Sequence, residues 1–332
     1  MRVLVTGGAG YIGSITTEEL LKQGQKVVVF DSLQQGHKDA VLPEAVFVQG
    51  DLSDKISLEN VFQSYSIDAV VHLAAETVVE HSMTDPKKYF HNNVINGINL
   101  LDSMLKYNVE KIIFSSSAAV YGEPVETPIQ ETHPQNPVNS YGESKLMFEK
   151  ILDWYHRAYG VKYISLRYFN AAGASEKLGE EHHPETHLIP LVLKCALNYK
   201  TEKEANKKVK IFGTEYPTND GTCVRDYIHV VDLAKAHILA LEQIDELGAR
   251  VYNLGNGDGY SVHEVIDTAK KITGADIEVV FASPRRGDPA VLIASSSRIK
   301  EELGWKPEHK DLESIIQSAW SWYLNHPERY SR

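Results

Sequence analysis

Hydrophobic positions in the first half of the chain fall into short, β-branched runs separated by stretches in which apolar residues recur at helical spacing. The runs are Val3–Thr6, Lys26–Phe30, Ala45–Val48, Ala69–His72, Lys111–Ser115 and Tyr163–Arg167. Helical patterns follow Gly13 (Ile12, Ile15, Leu20, Leu21), surround Leu58–Val61, and run across Lys87–Leu105 and Tyr141–Tyr155. Strands that are apolar throughout, alternating with helices, predict an α/β fold built on a doubly wound parallel sheet buried on both faces.

From about Asn170 the rhythm changes. A polar stretch, Ala171 to Pro190, replaces the next crossover, and a charge cluster at Lys200 to Lys210 reads as a solvated loop or helix end. Mixed elements follow: a strand at Tyr227–Val231, a helix through Leu233–Leu241, a strand at Val251–Leu254, a helix at Val262–Ile272 and a strand at Ile277–Phe281. This half reads as a smaller mixed α/β unit that returns some elements to the main sheet. The expected division is residues 1–169, with elements returned from about 225–257, and residues 170–332. No Pro/Ser linker and no repeat separates them, so the two parts interlock.

The first run enters Gly7-Gly8-Ala9-Gly10-Tyr11-Ile12-Gly13. Glycines spaced this way turn tightly off a buried strand, expose bare N–H groups to a pyrophosphate and let the next helix pack close to the sheet. The spacing is one residue longer at the front than the G-x-G-x-x-G fingerprint. The second strand ends in Asp31, eighteen positions past Gly13. An acid there accepts from the two hydroxyls of an adenosine ribose and repels a 2′-phosphate, so the cofactor reads as NAD in a Rossmann-type fold.

The 332 residues suffice for a sizeable core, and the net charge of −11, with no basic stripe, argues against nucleic acid as partner. Cys195 and Cys223 stand in unrelated contexts with no C-x-x-C, which points away from a disulfide framework or thiolate metal site. No apolar run approaches membrane-spanning length, and the first residues go straight into the sheet without a signal segment. The expectation is a cytoplasmic protein with no membrane partner.

Tyr141-Gly142-Glu143-Ser144-Lys145 puts a phenol and an ammonium on one face of a helix. A fixed lysine cation, joined by a positive nicotinamide ring, favours the phenolate and makes tyrosine a usable acid–base group. The same spacing occurs at Tyr107/Lys111 and Tyr199/Lys203, but Lys111 starts a strand and Tyr199/Lys203 falls in the charge cluster. Only Tyr141/Lys145 follows a strand ending in serines, Phe114-Ser115-Ser116-Ser117, where Ser117 could hold a substrate hydroxyl.

On these residues the chain resembles the extended short-chain dehydrogenase/reductases and, within them, the UDP-glucose (UDP-galactose) 4-epimerase family, over essentially its whole length. The specific marks are Val5 to Gly13, Ser115 to Gly122, Tyr141 to Lys145, Leu166-Arg167-Tyr168-Phe169-Asn170, and Gly221-Thr222 through Val224 to Val230. The last two, with Arg285-Arg286-Gly287-Asp288, narrow the match to the epimerases.

The resemblance implies epimerisation at C4 by transient oxidation with tightly bound NAD, on a UDP-hexose, in a homodimer. It implies a catalytic set of Ser117, Tyr141 and Lys145. Gly7, Gly10, Tyr11, Ile12 and Gly13, then Asp31, Ser32, Asp51 and Leu52, and Leu73, Ala74, Ala75 and Asn93 would meet the cofactor, as would Ser115, Tyr141, Lys145 and Tyr168. Ser117, Tyr141, Phe169, Asn170, His187, Leu188, Arg225, Arg285, Asp288 and Leu292 would meet the substrate. The dimer would form through the helices containing Asn93–Leu105 and Phe148–Tyr159.

The chain departs from the family pattern in three places. Thr77 stands where some members carry lysine, and His187-Leu188 replaces an asparagine–leucine pair of some relatives. Leu292 stands where relatives carry a bulky tyrosine or a small cysteine, which leaves activity on UDP-N-acetylhexosamines open as an alternative. A 4,6-dehydratase would need an Asp–Glu pair where Ala118 and Ala119 stand, and a binding protein without turnover would not need Ser117, Tyr141 and Lys145. His182, His183 and His187 lie near Glu180 and Glu181 at no standard zinc spacing, so the stretch reads as a polar loop and no metal is expected. Of Trp320 and Trp322, one is expected in the core and one at its rim; Cys195 is expected buried, and the Asp232, Lys235 and His237 region is expected at a helix start and surface.

Overall fold

The computed structural model describes residues 1–200, 208–285, 288–328 and 330. In chain order its first part contains β1 (Arg2–Thr6), α1 (Tyr11–Lys22), β2 (Lys26–Asp31), β3 (Val46–Gln49), α2 (Lys55–Ser64), β4 (Ala69–His72), α3 (Val79–Thr84), α4 (Pro86–Phe90), α5 (Asn96–Lys106), β5 (Lys111–Ser115), α6 (Ser140–Tyr159) and β6 (Lys162–Tyr168). The remainder contains β7 (Asn170–Ala172), α7 (Leu188–Lys200), β8 (Lys208–Phe212), β9 (Val224–His229), α8 (Val230–Leu247), β10 (Ala249–Leu254), β11 (Gly259–Ser261), α9 (Val262–Thr273), β12 (Glu278–Ala282), β13 (Val291–Leu292), α10 (Ser297–Leu303) and α11 (Leu312–Asn325). A π-helical stretch, His91–Ile95, joins α4 to α5, so the predicted helix across Lys87–Leu105 is continuous but irregular.

Seven parallel strands form the main sheet in the order β10-β6-β5-β4-β1-β2-β3. The chain winds outward in both directions from β1 and β4, which is the doubly wound α/β topology. One face is sealed by α1, α8 and α10 through Leu20, Leu233, Leu241 and Ile299, with Trp305 just past α10, and the other by α2, α5 and α6 through Leu58, Leu100, Met104, Phe148 and Leu152. Fully covered faces account for strands that are apolar throughout.

The segment 230–254 returns to this sheet as α8 and β10. β9 does not return; it anchors a second sheet, pairing with β7 and β13 in parallel and with β11 antiparallel. The predicted strand Tyr227–Val231 is shifted: β9 ends at His229, whose side chain accepts from Val231 N–H and caps α8. β8 and β12 form a separate parallel pair. Trp320 and Trp322 are both buried in the core shared by α7, α9 and α11, so neither sits at a rim. Asp232 does begin α8, but it and His237 are buried rather than at the surface. Most of the predicted charge cluster, Lys203 included, lies outside the described residues, as do Arg286 and Gly287.

Candidate active site

The carboxyl ends of β1, β2, β4, β5 and β6 open on one edge of the main sheet, and the predicted cofactor residues stand there. After β1, Gly7 N–H donates to Phe30 carbonyl at 3.0 Å and Gly10 N–H to Gly7 carbonyl at 3.1 Å, which ties the loop to β2. A Cβ on Gly13 would lie 2.1 Å from the Gly7 oxygen, so only glycine lets α1 approach the loop this closely. No side chain caps the N-terminus of α1 and no acid stands in its first turn. An N-terminus without a side-chain cap or a first-turn acid, with the positive end of the helix dipole, suits the pyrophosphate of NAD. Asp31 accepts from Ala9 N–H at 3.0 Å and Leu33 N–H at 2.8 Å, one bond on each oxygen, leaving lone pairs for ribose hydroxyls. Burial pushes its carboxyl up, against those two bonds.

Asp51 accepts from Ser53 N–H and the Gln34 amide, and Leu52 is buried beside it. Ser32 accepts from Gln34 N–H at the end of β2. Leu73, Ala74 and Ala75 follow β4. Asn93 is buried and joins two elements: its side chain accepts from Glu76 N–H and donates to the Glu76 carbonyl and to Ser144 Oγ on α6.

Helix α6 carries Tyr141 and Lys145 one turn apart, started by Asn139 accepting from Gly142 N–H at 2.8 Å. A Cβ on Gly142 would sit 2.4 Å from the Ala119 carbonyl, so this glycine lets α6 rest on the turn that carries Ser117. Ser117 accepts from Ala119 N–H at 3.1 Å, and its hydroxyl acts on the Tyr141 phenol so as to favour the phenolate. Lys145 donates to the Ser115 carbonyl at 2.8 Å, and its ammonium stands 5.9 Å from the centre of the Tyr141 ring. Tyr168 bonds to Ser115 Oγ.

Burial dominates the charges here. It raises Tyr141 above its ordinary value, with Ser117 pulling against it, and lowers Lys145 to about 7, with Glu149 pulling against it. Burial thus opposes both charged forms in the chain alone, where the nicotinamide cation that the sequence reading joins to Lys145 is not acting. An added positive charge at the site is needed to draw the phenol down.

Glu149, not singled out from sequence, holds α6 in place. It accepts from Arg167 Nε at 2.9 Å and Nη2 at 2.5 Å, and from Ser116 Oγ at 2.5 Å. Arg167 reaches Tyr121, which donates to Asn253 on β10 at 2.6 Å. Tyr141, Lys145 and Glu149 follow each other at four-residue spacing on α6, the signal that could have found it.

On the substrate side, Asn170 on β7 donates to the Asp226 carbonyl at 3.0 Å. Arg225 on β9 bonds Asp288, and Leu292 on β13 is its register partner. Leu292 packs in a small apolar cluster with Phe169, Ala118 and Tyr121. Phe169, Arg225, Asp288 and Leu292 are thus brought together through pairing and packing, whereas Arg285 stacks on Phe212 at 4.0 Å. Asp226, also missed, is fully buried and accepts N–H bonds from Asn256, Gly257 and Ala294 at 2.8, 3.0 and 3.0 Å. Burial raises it to about 6 against those bonds.

His187 and Leu188 stand at the start of α7, where His187 Nδ1 lies 2.9 Å from both Glu180 and Glu185. Burial works to lower His187, yet Glu180 foremost and Glu185 hold it well above the usual imidazole range. Tyr11 donates to the Gly173 carbonyl at 2.6 Å, joining the glycine loop to the segment after β7.

Comparison with known proteins gives this site its context. Residues 3–255 match the NAD dependent epimerase/dehydratase family. The chain is 50% identical to a UDP-glucose 4-epimerase of Lacticaseibacillus casei over 333 residues, covering 99% of each. Among solved structures, a UDP-glucose 4-epimerase is 47% identical with a TM-score of 0.95, covering all of both chains. Another, from Bifidobacterium longum in complex with NAD+ and UDP, is 40% identical with a TM-score of 0.94, covering 99% of this chain and 100% of that one. The chain therefore belongs to the NAD dependent epimerase/dehydratase family and, within it, to the UDP-glucose 4-epimerases.

Proposed function

We propose that the chain interconverts UDP-glucose and UDP-galactose at C4, with NAD retained through the cycle. The observation that carries this is the convergence of Ser117, Tyr141 and Lys145 on the edge where α1 presents its uncapped N-terminus. When bound, NAD supplies a hydride acceptor that also returns the hydride. Tyr141 removes the proton of the sugar 4-hydroxyl and later restores it. Ser117 orients the 4-oxygen and shares the phenol's hydrogen bond. Lys145, buried and balanced near neutrality, supports the phenolate electrostatically.

Residues 1–169, with α8 and β10, would hold NAD, through Gly7 to Gly13, Asp31, Ser32, Asp51, Leu52, Leu73 to Ala75, Asn93, Ser115 and Tyr168. Residues 170–332 would mainly hold the UDP-sugar. Arg225 and Arg285 suit a diphosphate, Asp288 a ribose, and Asn170, His187 and Leu188 line the approach. Phe169 and Leu292 would offer the hexose an apolar wall, which suits a ring that must present either face of C4.

Proton NMR of the purified protein with UDP-galactose and no added NAD tests this. UDP-glucose should form, and Tyr141→Phe should keep UDP binding while losing about 100- to 10,000-fold in turnover. Unchanged turnover in that variant would remove Tyr141 from the mechanism, and no conversion with or without NAD+ would remove the function. A parallel tube with UDP-N-acetylgalactosamine reads out what Leu292 admits.

The assembly is a homodimer in this reading, because Ile95, Met147, Trp154 and Tyr159 are exposed along the α5 and α6 region. Trp154, 66% exposed, should be the most sensitive position: Trp154→Glu should shift light-scattering mass from dimer to monomer. Among the described residues no helix is long and apolar enough to cross a membrane, and both cysteines are free and buried. A cytoplasmic location fits these features.

A further inference from the structure

The segment between β7 and α7 carries a second constellation, separate from Ser117, Tyr141 and Lys145, of which His187 alone is also placed on the substrate approach. Glu180, His182, Glu185 and His187 each turn one ligand atom inward, and the four atoms lie within 4.8 Å of one another. His182 Nδ1 and His187 Nδ1 both face Glu180 Oε1, at 3.1 and 2.9 Å. Glu185 closes the group, with Oε1 at 2.9 Å from His187 Nδ1 and Oε2 at 3.8 Å from His182 Nδ1. The sequence pattern hid this arrangement, because the folded loop brings in Glu185 and leaves Glu181 and His183 out of it.

Two observations turn this cluster into a site. The nitrogen–oxygen separations straddle about 3.3 Å, the edge of a tetrahedron whose ligands stand about 2.0–2.1 Å from a central ion. Further, the Glu185 side chain is only 4% exposed, yet its Oε2 accepts no hydrogen bond and is aimed at the cluster. A carboxylate oxygen buried without a donor is costly unless a cation meets it. Two carboxylates and two neutral imidazoles carry a charge of −2, which one divalent ion balances.

We propose that Glu180, His182, Glu185 and His187 bind one divalent transition-metal ion of the zinc class. Two imidazole and two carboxylate ligands suit zinc, and four protein ligands leave no open position, so the site is structural. Its place in the fold says what it fastens. The His182 ring meets Tyr11 edge-on at 6.4 Å, and Tyr11 belongs to the glycine loop and bonds Gly173. The ion would lock the loop ahead of α7 against the cofactor loop, with none of Ser117, Tyr141 and Lys145 among its ligands.

The test uses the purified NAD-bound protein, stripped with a chelator and titrated with Co2+ and then Zn2+. One equivalent of Co2+ per chain should give the visible absorption of a tetrahedral nitrogen–oxygen site, and Zn2+ should bleach it. His182→Gln and Glu185→Gln should each weaken Zn2+ binding at least tenfold, and added Zn2+ should raise the thermal midpoint of the parent protein more than that of either variant. Absence of a stoichiometric Co2+ spectrum in the parent protein overturns the proposal, whatever the variants do. So does Zn2+ affinity unchanged in both variants, which would place the ion elsewhere.

Discussion

The cofactor edge and the substrate side of this molecule are built in opposite ways. Residues 2–31 make a complete β1–loop–α1–β2 unit whose bonds are mostly local, Gly7 to Phe30 and Ala9 to Asp31 among them. The second sheet gathers residues 170–172, 224–229, 259–261 and 291–292, segments separated by long stretches of chain. Closing such long loops costs entropy, and short strands of two to six residues return little pairing energy for it. Asp226 supplies the missing anchor. One buried carboxylate takes three backbone N–H groups, from Asn256, Gly257 and Ala294, and so ties β9 to the chain after β10 and after β13. A local unit is held by contacts close in sequence; a dispersed one adds to its short strand pairs one buried carboxylate that gathers three distant backbone N–H groups.

The sharpest way to break the comparison is to damage each side separately. Gly13→Ala would press a methyl group to 2.1 Å from the Gly7 oxygen. It should cost about 3 kcal/mol of stability and leave the purified protein without NAD, read by denaturant midpoint and by nucleotide released on acid precipitation. Asp226→Asn would set an amide NH2 against backbone donors and leave at least one of them unpaired. The expected loss is about 2 kcal/mol, with weaker UDP binding by calorimetry and an NAD content equal to the parent's. If that variant lost NAD as readily as UDP, the two sides would not be separable in the way described.

A smaller effect concerns the return of α8 to the main sheet. His237 on α8 is fully buried, donates from Nδ1 to the Leu233 carbonyl at 2.9 Å with its Nε2 left without a partner, and is lowered to about 4 by burial, against that bond. Its unfolded value is near 6.5, so from there down to about pH 4 the unfolded chain binds the extra proton. The histidine's contribution to stability is therefore present above pH 6.5 and lost as pH falls through that window. His237→Leu should flatten the pH dependence by at most about 1.4 kcal/mol per pH unit, seen in urea midpoints compared at several pH values. Parallel curves for the two proteins would show that His237 does not titrate in this way.

Legibility followed the same divide. Every strand of residues 1–169 was marked by an apolar β-branched run; for the strands inside the sheet this is because coverage on both faces leaves no polar side to blur it, while the edge strand β3 is only partly covered. Gly13 and Asp31 could be read because their spacing from β1 and β2 is fixed within one supersecondary unit. Trp322, by contrast, could not be assigned to the core from α11 alone, since what buries it is α7 and the loop carrying Gly179. His237 looked like surface beside Lys235, yet α8 packs on the sheet with α1 along its flank, and that burial takes in His237. Arg225 and Asp288 were drawn from the family resemblance, and nothing in their own neighbourhood announced that they would pair.

The amino-acid sequence by itself determined the parallel sheet, the glycine loop with Asp31 at the end of the next strand, and the Tyr141/Lys145 pair, because each depends on periodicity or spacing within a few turns of chain. Only the tertiary structure decided three other things. It placed Glu149 and Arg167 together in a buried ion pair between α6 and β6, which no local pattern contains. It raised Tyr141 and lowered Lys145, because burial acts on a charge only once distant segments have closed over it. And it folded Glu185 toward His182, since the convergence of four side chains depends on the path of a loop rather than on the order of its residues.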